Sequence, residues 1–165
     1  MYSLHSKDRP LKNFDIRPLE RGDLERVGHL VGVNDMFPPE MLAEMTATYF
    51  NDPDSGHRWL VATGAEVDGV AYYVPEPLTE GTWNLLLIAV DPGRHGGGIG
   101  QALMHHVEDE LAASGARVLL VETSGTEDFA RTRRFYQQLG YDREACIRDY
   151  YAAGDDKIVF RKALD

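Results

Sequence analysis

The feature that most constrains the fold is a glycine-rich loop that lies between a continuous apolar run and an amphipathic stretch. Residues 85–90 read LLLIAV, and residues 91–100 read DPGRHGGGIG. A continuous apolar run of this length is typical of a strand that is covered on both faces. Apolar residues then recur every fourth position from Ile99 to Leu111, which places them on one face of a helix. This order of strand, glycine loop and helix predicts an α/β structure.

A second apolar run and the flanking segments complete the predicted sheet. Residues 118–121 read VLLV and indicate another central strand, while the amphipathic stretch over 24–33 predicts a helix that Asp23 caps. Further strands are expected near Ile16 and over 59–62, 67–74, 142–150 and 157–162, and further helices over 40–50 and 126–139. The order β-α-α-β-β-β-α-β-α-β-β predicts an α/β fold with a mixed, mostly antiparallel central sheet and helices on both faces.

Length, charge and cysteine content narrow the setting. The 165 residues fit a short N-terminal tail at 1–12 and one domain over 13–165. A net charge of −10 disfavours nucleic acid and anionic membranes as partners. The single cysteine, Cys146, excludes an internal disulfide. Because no apolar run could span a bilayer and the first residues lack the apolar centre of a signal peptide, we expect a cytoplasmic protein.

The glycine loop has a physical use as an anion site. Five glycines in the eight positions 93–100 let backbone N–H groups crowd around a phosphate at a helix N-terminus, and a flexible turn needs fewer. A P-loop is excluded because Gly100 is followed by Gln101 and not by lysine. A dinucleotide fingerprint is weak because Leu103 stands at its last glycine position. A lipase-type oxyanion loop is excluded because no G-x-S-x-G sequence occurs.

Two segments together resemble a known family. HGGGIG at 95–100 resembles motif A of the GNAT superfamily of acyl-CoA N-acyltransferases, whose pattern is Gln/Arg-x-x-Gly-x-Gly/Ala, although His95 replaces the first residue. RFYQQLGY at 134–141 is similar to the F/L-Y-x-x-x-G-F/Y element of the same superfamily. The resemblance extends from about Trp59 to the end of the chain, and it implies a GNAT-like fold.

The resemblance also implies a reaction. The expected function is transfer of an acetyl group from acetyl-CoA to a primary amine of a small molecule or peptide, by direct attack in a ternary complex and without a metal. The fourth and fifth strands would splay apart, so that pantetheine pairs with the backbone near Ala89 and Val90. Tyr136 would protonate the departing thiolate. The amides that would hold the pyrophosphate are those of His95, Gly96, Gly97, Gly98, Ile99, Gly100 and Gln101.

The proton acceptor and the amine site are less determined. Many family members carry a carboxylate on the fourth strand where this chain has Asn84, and an amide cannot accept a proton at neutral pH. Glu122, Glu80 and a chain of waters are the alternatives, with Glu122 preferred because it ends the adjacent strand. Asn84, Trp83 and Glu80 are expected near the amine.

The chain departs from the family pattern at one more position. Phe129 stands where many members have an asparagine that touches the cofactor, so that contact is not inferred. Because the strand carboxylate is missing, a catalytically silent CoA-binding or interaction module of the same fold is the alternative function. The sequence leaves a homodimer open.

Overall fold

The two apolar runs form neighbouring central strands of a seven-stranded sheet in the computed structural model, which describes residues 13–165. The tail expected over 1–12 lies outside the described residues. The strands are β1 (Asp15–Pro18), β2 (Arg58–Thr63), β3 (Val67–Pro75), β4 (Thr82–Val90), β5 (Val118–Ser124), β6 (Asp142–Ala152) and β7 (Asp155–Ala163). The helices are α1 (Leu24–Val33), α2 (Leu42–Asn51), α3 (Ile99–Ala113) and α4 (Ala130–Gln138). None of the helices in this described part of the chain is long and apolar enough to cross a membrane.

The sheet is mixed and mostly antiparallel, as the sequence predicts. Its strand order is β1-β2-β3-β4-β5-β7-β6, and only β4 and β5 run parallel to each other. Helices α1 and α2 cover one face, over a core that includes Val31 and Leu87. Helices α3 and α4 cover the other face, over a core that includes Leu103 and Phe160. The helical layers on both faces confirm the predicted architecture.

Strand β4 contains a β-bulge. Tyr72 of β3 pairs with Leu87, but the next residue, Tyr73, pairs with Leu85, so Leu86 is an extra residue on β4. A bulge bends its strand and increases the local twist. It also changes which side chains face each core, because Leu85 packs on the α3 side whereas Leu87 packs on the α1 side.

Strand β4 separates from β5 at this bulge. The last paired residues are Leu85 and Val121, and the following part of β5, Glu122 to Ser124, pairs only with β7. Leu86 is 48% exposed at the point of separation. The prediction that residues 85–90 are covered on both faces is therefore wrong for Leu86, because the parted strands leave that side of β4 open.

Close contacts position the glycine loop after β4. A Cβ atom on Gly69 of β3 would lie only 2.8 Å from Ile99 Cγ2, so the glycine lets the start of α3 approach the sheet. The Asp91 carboxylate accepts a hydrogen bond from Gly93 N–H at 2.8 Å and pairs with Arg26 of α1 at 2.5 Å. These two interactions lower the pKa of Asp91 and hold the loop where it leaves the strand.

Asp23 does not cap α1 as expected. Its side chain makes no cap hydrogen bond to the helix, and the carboxylate instead accepts a hydrogen bond from Glu20 N–H at 2.8 Å. Arg17 binds both oxygens of the same carboxylate, at 2.7 and 2.9 Å. The bond from Arg17 holds the pKa of Asp23 below its ordinary value of 3.8. Asp23 therefore joins β1 to the turn that precedes α1.

This contact predicts a pH-dependent loss of stability in Asp23→Asn. Because the folded-state pKa is lowered, the carboxylate stabilises the fold fully above pH 3.8 and loses this effect as the pH falls through the folded-state pKa. We expect the variant to lose about 1–2 kcal/mol at neutral pH in urea unfolding. Glu25→Gln, in the exposed first turn of α1, is the control. A loss that is as large at about pH 2 as at neutral pH would contradict the assignment.

Candidate functional site

The glycine loop forms an open cradle at the start of α3. Gly96 and Gly98 have φ angles of +83° and +82°, which side chains other than glycine rarely adopt. A Cβ atom on either residue would meet nothing within 4 Å, so the space in front of both is free. The first N–H groups of α3, including those of Gly100 and Gln101, have no acceptor within the helix. This end of the helix can therefore hold an anion.

Some of the loop amides are already engaged within the loop. His95 N–H donates to Pro92 O at 3.4 Å, and Gly97 N–H donates to Arg94 O at 3.2 Å. The amides of Gly96 and of Gly98 to Gln101 take no part in these bonds and are available to an anion. His95 Nε2 lies 3.1 Å from the carbonyl oxygen of Val90, so this side chain ties the loop to the end of β4.

The first cleft lies between the glycine loop, β4 and α4 and has a volume of about 560 Å³. Its lining is rich in basic side chains: Arg94, His95, Arg131 and Arg134. Arg94 pairs with the buried Asp68 at 3.4 Å. Basic side chains and a helix N-terminus together favour an anionic ligand, in spite of the net negative charge of the chain.

The open edge of β4 offers backbone groups to this cleft. Asp91 N–H donates to Asp68 O at 2.8 Å, which identifies these residues as a hydrogen-bonded pair. Because such pairs alternate along an antiparallel ladder, Val90 and Ile88 point their N–H and C=O groups away from β3 and towards the cleft. Ala89, expected at this edge, lines the cleft but directs its backbone groups to β3.

The second cleft lies on the other side of α4 and has a volume of about 420 Å³. Glu122 of β5 and Asp155 of β7 line it, and no basic residue belongs to its described lining. The two clefts share four lining residues: Asn34, Ile88, Thr132 and Tyr136. They therefore meet where β4 and β5 part.

Tyr136 occupies this junction. The residue is 3% exposed, and its ring packs against Tyr141 and Phe160. Its hydroxyl makes no hydrogen bond to any of residues 13–165. Burial raises the pKa of this hydroxyl, which keeps it protonated at neutral pH. Tyr136 therefore places a neutral hydroxyl-bearing side chain where the two clefts meet.

Glu122 is held by two donors on one of its oxygens. Asn84 Nδ2 donates to Glu122 Oε1 at 3.1 Å, and Lys157 Nζ lies 3.0 Å from the same atom. The ring of Tyr150 covers Lys157 at 4.2 Å. Neither donor uses Oε2. The carboxylate is thus fixed beside the second cleft with one oxygen unengaged by these partners.

The sequence-predicted residues divide into two groups in space. Glu122 and Tyr136 line the second cleft, and Asn84 contacts Glu122. Glu80 and Trp83 lie outside both clefts, near the other end of β4. Among residues 13–165, no group of three metal-ligating side chains is placed together.

Several cleft residues were missed by sequence reasoning. Asn34 is remote in sequence from the other lining residues, and no motif marks it. The side chain donates to Leu30 O at 2.8 Å and to Val90 O at 3.1 Å, which joins the end of α1 to the end of β4. Phe129 was considered only as the residue in place of a cofactor-contacting asparagine, and the structure places it in the lining of the second cleft. Other missed residues include Met36, Leu86, Thr132 and Asp155.

Comparison with known proteins gives a family match. A model of the acetyltransferase (GNAT) family matches residues 21–141. The chain is 34% identical over 73 residues to the ribosomal protein bS18-alanine N-acetyltransferase of Escherichia coli strain K12. These 73 residues cover 44% of this chain and 48% of that protein. The match thus spans about half the length of this curated relative.

Solved structures share the fold. A Desulfovibrio desulfuricans protein assigned to the GNAT family of acetyltransferases is 35% identical, with a TM-score of 0.84 over 92% of this chain and 99% of that chain. A Salmonella typhimurium protein solved with its cofactor acetyl-CoA is 18% identical, with a TM-score of 0.73 over 93% of this chain and 95% of that chain. At 18% identity the second likeness supports the fold alone.

The open cradle predicts that Gly98→Asp weakens binding of CoA. The new side chain would place a negative charge at the helix N-terminus, where the phosphates would lie, and we expect at least about a tenfold rise in Kd by calorimetry. Gly115→Asp is a matched control, because Gly115 ends the same helix with φ +86° and equally open space. Unchanged CoA binding by folded Gly98→Asp would place the anion elsewhere.

Proposed function

Because the chain belongs to the acetyltransferase (GNAT) family, we propose that it transfers an acetyl group from acetyl-CoA to a primary amine of a small molecule or peptide. The transfer is direct, with both substrates bound together. One observation carries this proposal: the buried Tyr136 lines both a cleft with basic side chains and a cleft with two carboxylates, at the place where the clefts meet. A direct transfer needs such a junction, because the two substrates must meet at the atoms that react.

The first cleft fits acetyl-CoA. Its basic lining and the free N–H groups from Gly98 onward suit a pyrophosphate, and its volume lies within the usual range of ligand sites. The N–H and C=O groups of Ile88 and the N–H of Val90 suit the amides of pantetheine. The carbonyl of Val90 already accepts from Asn34. Acetyl-CoA supplies an acetyl thioester, which is reactive towards amines.

The reacting groups of this chain then have separate roles. As the amine nitrogen forms its bond to the acetyl carbon, the bond from carbon to sulfur breaks. Tyr136 donates the proton that the sulfur gains, since its hydroxyl is held neutral by burial. Glu122 accepts the proton that the nitrogen loses, through Oε2 or through a water on it. To restore the resting state, Glu122 releases its proton to solvent and Tyr136 takes up a proton from solvent, while the free thiol of CoA keeps the proton that Tyr136 donated.

Asn84 favours a second candidate, a CoA-binding module without turnover. The residue stands where many family members have a carboxylate, and its side chain donates to Glu122. If the chain is an acetyltransferase, this bond positions Glu122. If the chain is a CoA-binding module without turnover, the bond leaves the site without a usable base. One measurement separates the two functions, since only the acetyltransferase gives acetylated amine from acetyl-CoA.

The role of Tyr136 predicts a loss of turnover in Tyr136→Phe. We expect kcat to fall by about ten- to a thousandfold while acetyl-CoA binds almost as well, because only the proton for the leaving group is lost. Tyr141→Phe is a matched control, because it removes a buried hydroxyl without a partner from the ring that Tyr136 packs against. Equal turnover of Tyr136→Phe and wild type would contradict the proton-donor role.

The role of Glu122 predicts a change in the pH profile of Glu122→Gln. A base must be deprotonated to act, so activity falls on the acidic side, and the amide should remove that limb of the kcat/KM profile. Glu76→Gln is a matched control, because Glu76 also accepts from Asn84, at 3.4 Å, but lines neither described cleft.

Two acceptor amines of different basicity complete this test. If the proton leaves through water alone, the acidic limb reports the pKa of the amine and moves with it in wild type and variant alike. That outcome rules out Glu122 as the base. A limb that stays in place for both amines in wild type and disappears in Glu122→Gln supports it.

A further inference from the structure

Resting on the proposed function, we propose that the acceptor is a primary amine with an apolar group within a few bonds of its nitrogen, bound in the second cleft. Such an amine occurs as a free alkyl or arylalkyl amine and as the N-terminus of a peptide whose first side chain is apolar. The shared chemistry is one ammonium charge beside an apolar surface. Polycationic and hydroxyl-rich amines are disfavoured.

The walls of the second cleft carry exposed apolar side chains from four separate parts of the chain. Met36 follows α1, Leu86 is the bulged residue of β4, Phe129 precedes α4 and Tyr151 lies in β6. Their exposed fractions are 40%, 48%, 42% and 47%, respectively. Large apolar side chains that converge on one cleft from several elements are typical of a binding surface. An apolar part of the ligand would cover them.

The charge of this cleft complements a single cation. Glu122 and Asp155 line it, and Lys157, 3.0 Å from Glu122 Oε1, offsets one of these two negative charges, which leaves a net charge suited to one cation. Asp155 is oriented by a hydrogen bond from Ser124 Oγ at 2.5 Å. Glu122 Oε2 is not used by the donors that hold Oε1. An ammonium group at these oxygens would lie in a cleft that Tyr136, itself 3% exposed, also lines.

The two clefts therefore select by opposite properties. The first is lined by Arg94, Arg131 and Arg134 and suits an anion, whereas the second combines two carboxylates with apolar walls. The lining of the second cleft also includes polar side chains, such as Asn34, Ser124 and Thr132. A further ammonium or hydroxyl group placed against Leu86 and Phe129 would receive no hydrogen bond from these two side chains. Burial of a polar group without a partner is costly, so the apolar walls disfavour such amines.

Matched amines test this inference. Isoamylamine and ethanolamine share the ammonium group, but isoamylamine ends in an apolar group and ethanolamine ends in a hydroxyl. Peptides that begin with leucine or with serine test the peptide source, and spermidine tests a polycation. We expect kcat/KM to be at least about tenfold higher for the apolar member of a pair, mostly through KM. If the free amines give the larger kcat/KM, the acceptor is a small amine, and if the peptides do, the acceptor is a peptide N-terminus.

Variants locate the selectivity in the cleft. Leu86→Ser and Phe129→Ser change side chains that are more than 40% exposed, so the fold should tolerate them, and we expect the preference for isoamylamine over ethanolamine to fall several-fold. Ile147→Ser is a matched control, because Ile147 is 45% exposed on β6 and lines neither described cleft. It should leave the preference unchanged.

Calorimetry with the CoA-saturated protein measures binding of the amine without turnover. Together with the turnover assay it separates failure of the inference from failure of the proposed function. Turnover that is as efficient with ethanolamine or spermidine, or a preference that Leu86→Ser leaves intact, overturns the inference while the function stands. Absence of turnover with tighter binding of isoamylamine than of ethanolamine, weakened in Leu86→Ser, supports the cleft and overturns the function. Absence of both turnover and preferential binding overturns both.

Discussion

The parting of β4 from β5 is the constraint on which the rest of the site depends. Parallel pairing between these strands ends at Leu85 and Val121, and the bulge at Leu86 turns β4 away at that point. A strand that leaves its neighbour exposes backbone N–H and C=O groups that a sheet would otherwise pair. Ile88 and Val90 carry such groups, and the anchored loop and α3 stand directly after them. One extra residue thus creates an edge, a cleft and a position for a helix N-terminus at the same place.

Charge is distributed over the molecule in a way that matches the two clefts. The chain has a net charge of −10, yet the first cleft collects basic side chains around the glycine loop. The second cleft contains the carboxylates of Glu122 and Asp155. In the proposed function, an anionic and a cationic substrate would therefore bind on opposite sides of Tyr136. Because Tyr136 is buried and its hydroxyl is neutral, it adds no charge of its own between the basic side chains of the first cleft and the carboxylates of the second.

The fold was predictable from local patterns, and the site was predictable in part. Apolar periodicity and turn residues predicted the order of helices and strands, and the glycine run and the segment around Tyr136 indicated the family. Backbone details were less accessible. The bulge at Leu86 reverses the inside and outside positions of β4, and nothing in the run LLLIAV marks it. The family resemblance implied an open edge near Ala89 and Val90, and the register of β3 with β4 leaves Val90 and Ile88 with backbone groups that point away from β3. Trp83 and Glu80, which were expected near the amine, line neither of the two clefts.

The sequence by itself determined the elements, their order and the anion cradle, because these depend on residues close together in the chain. Glycines at positive φ and a following helix act locally, whatever the rest of the fold does. Only the tertiary structure decided which side chains share the second cleft. Met36, Leu86, Phe129 and Tyr151 are far apart in sequence, and Asn84 and Lys157 reach Glu122 from two different strands. Contacts of this kind follow from strand register and twist, which the pairing of the whole sheet sets.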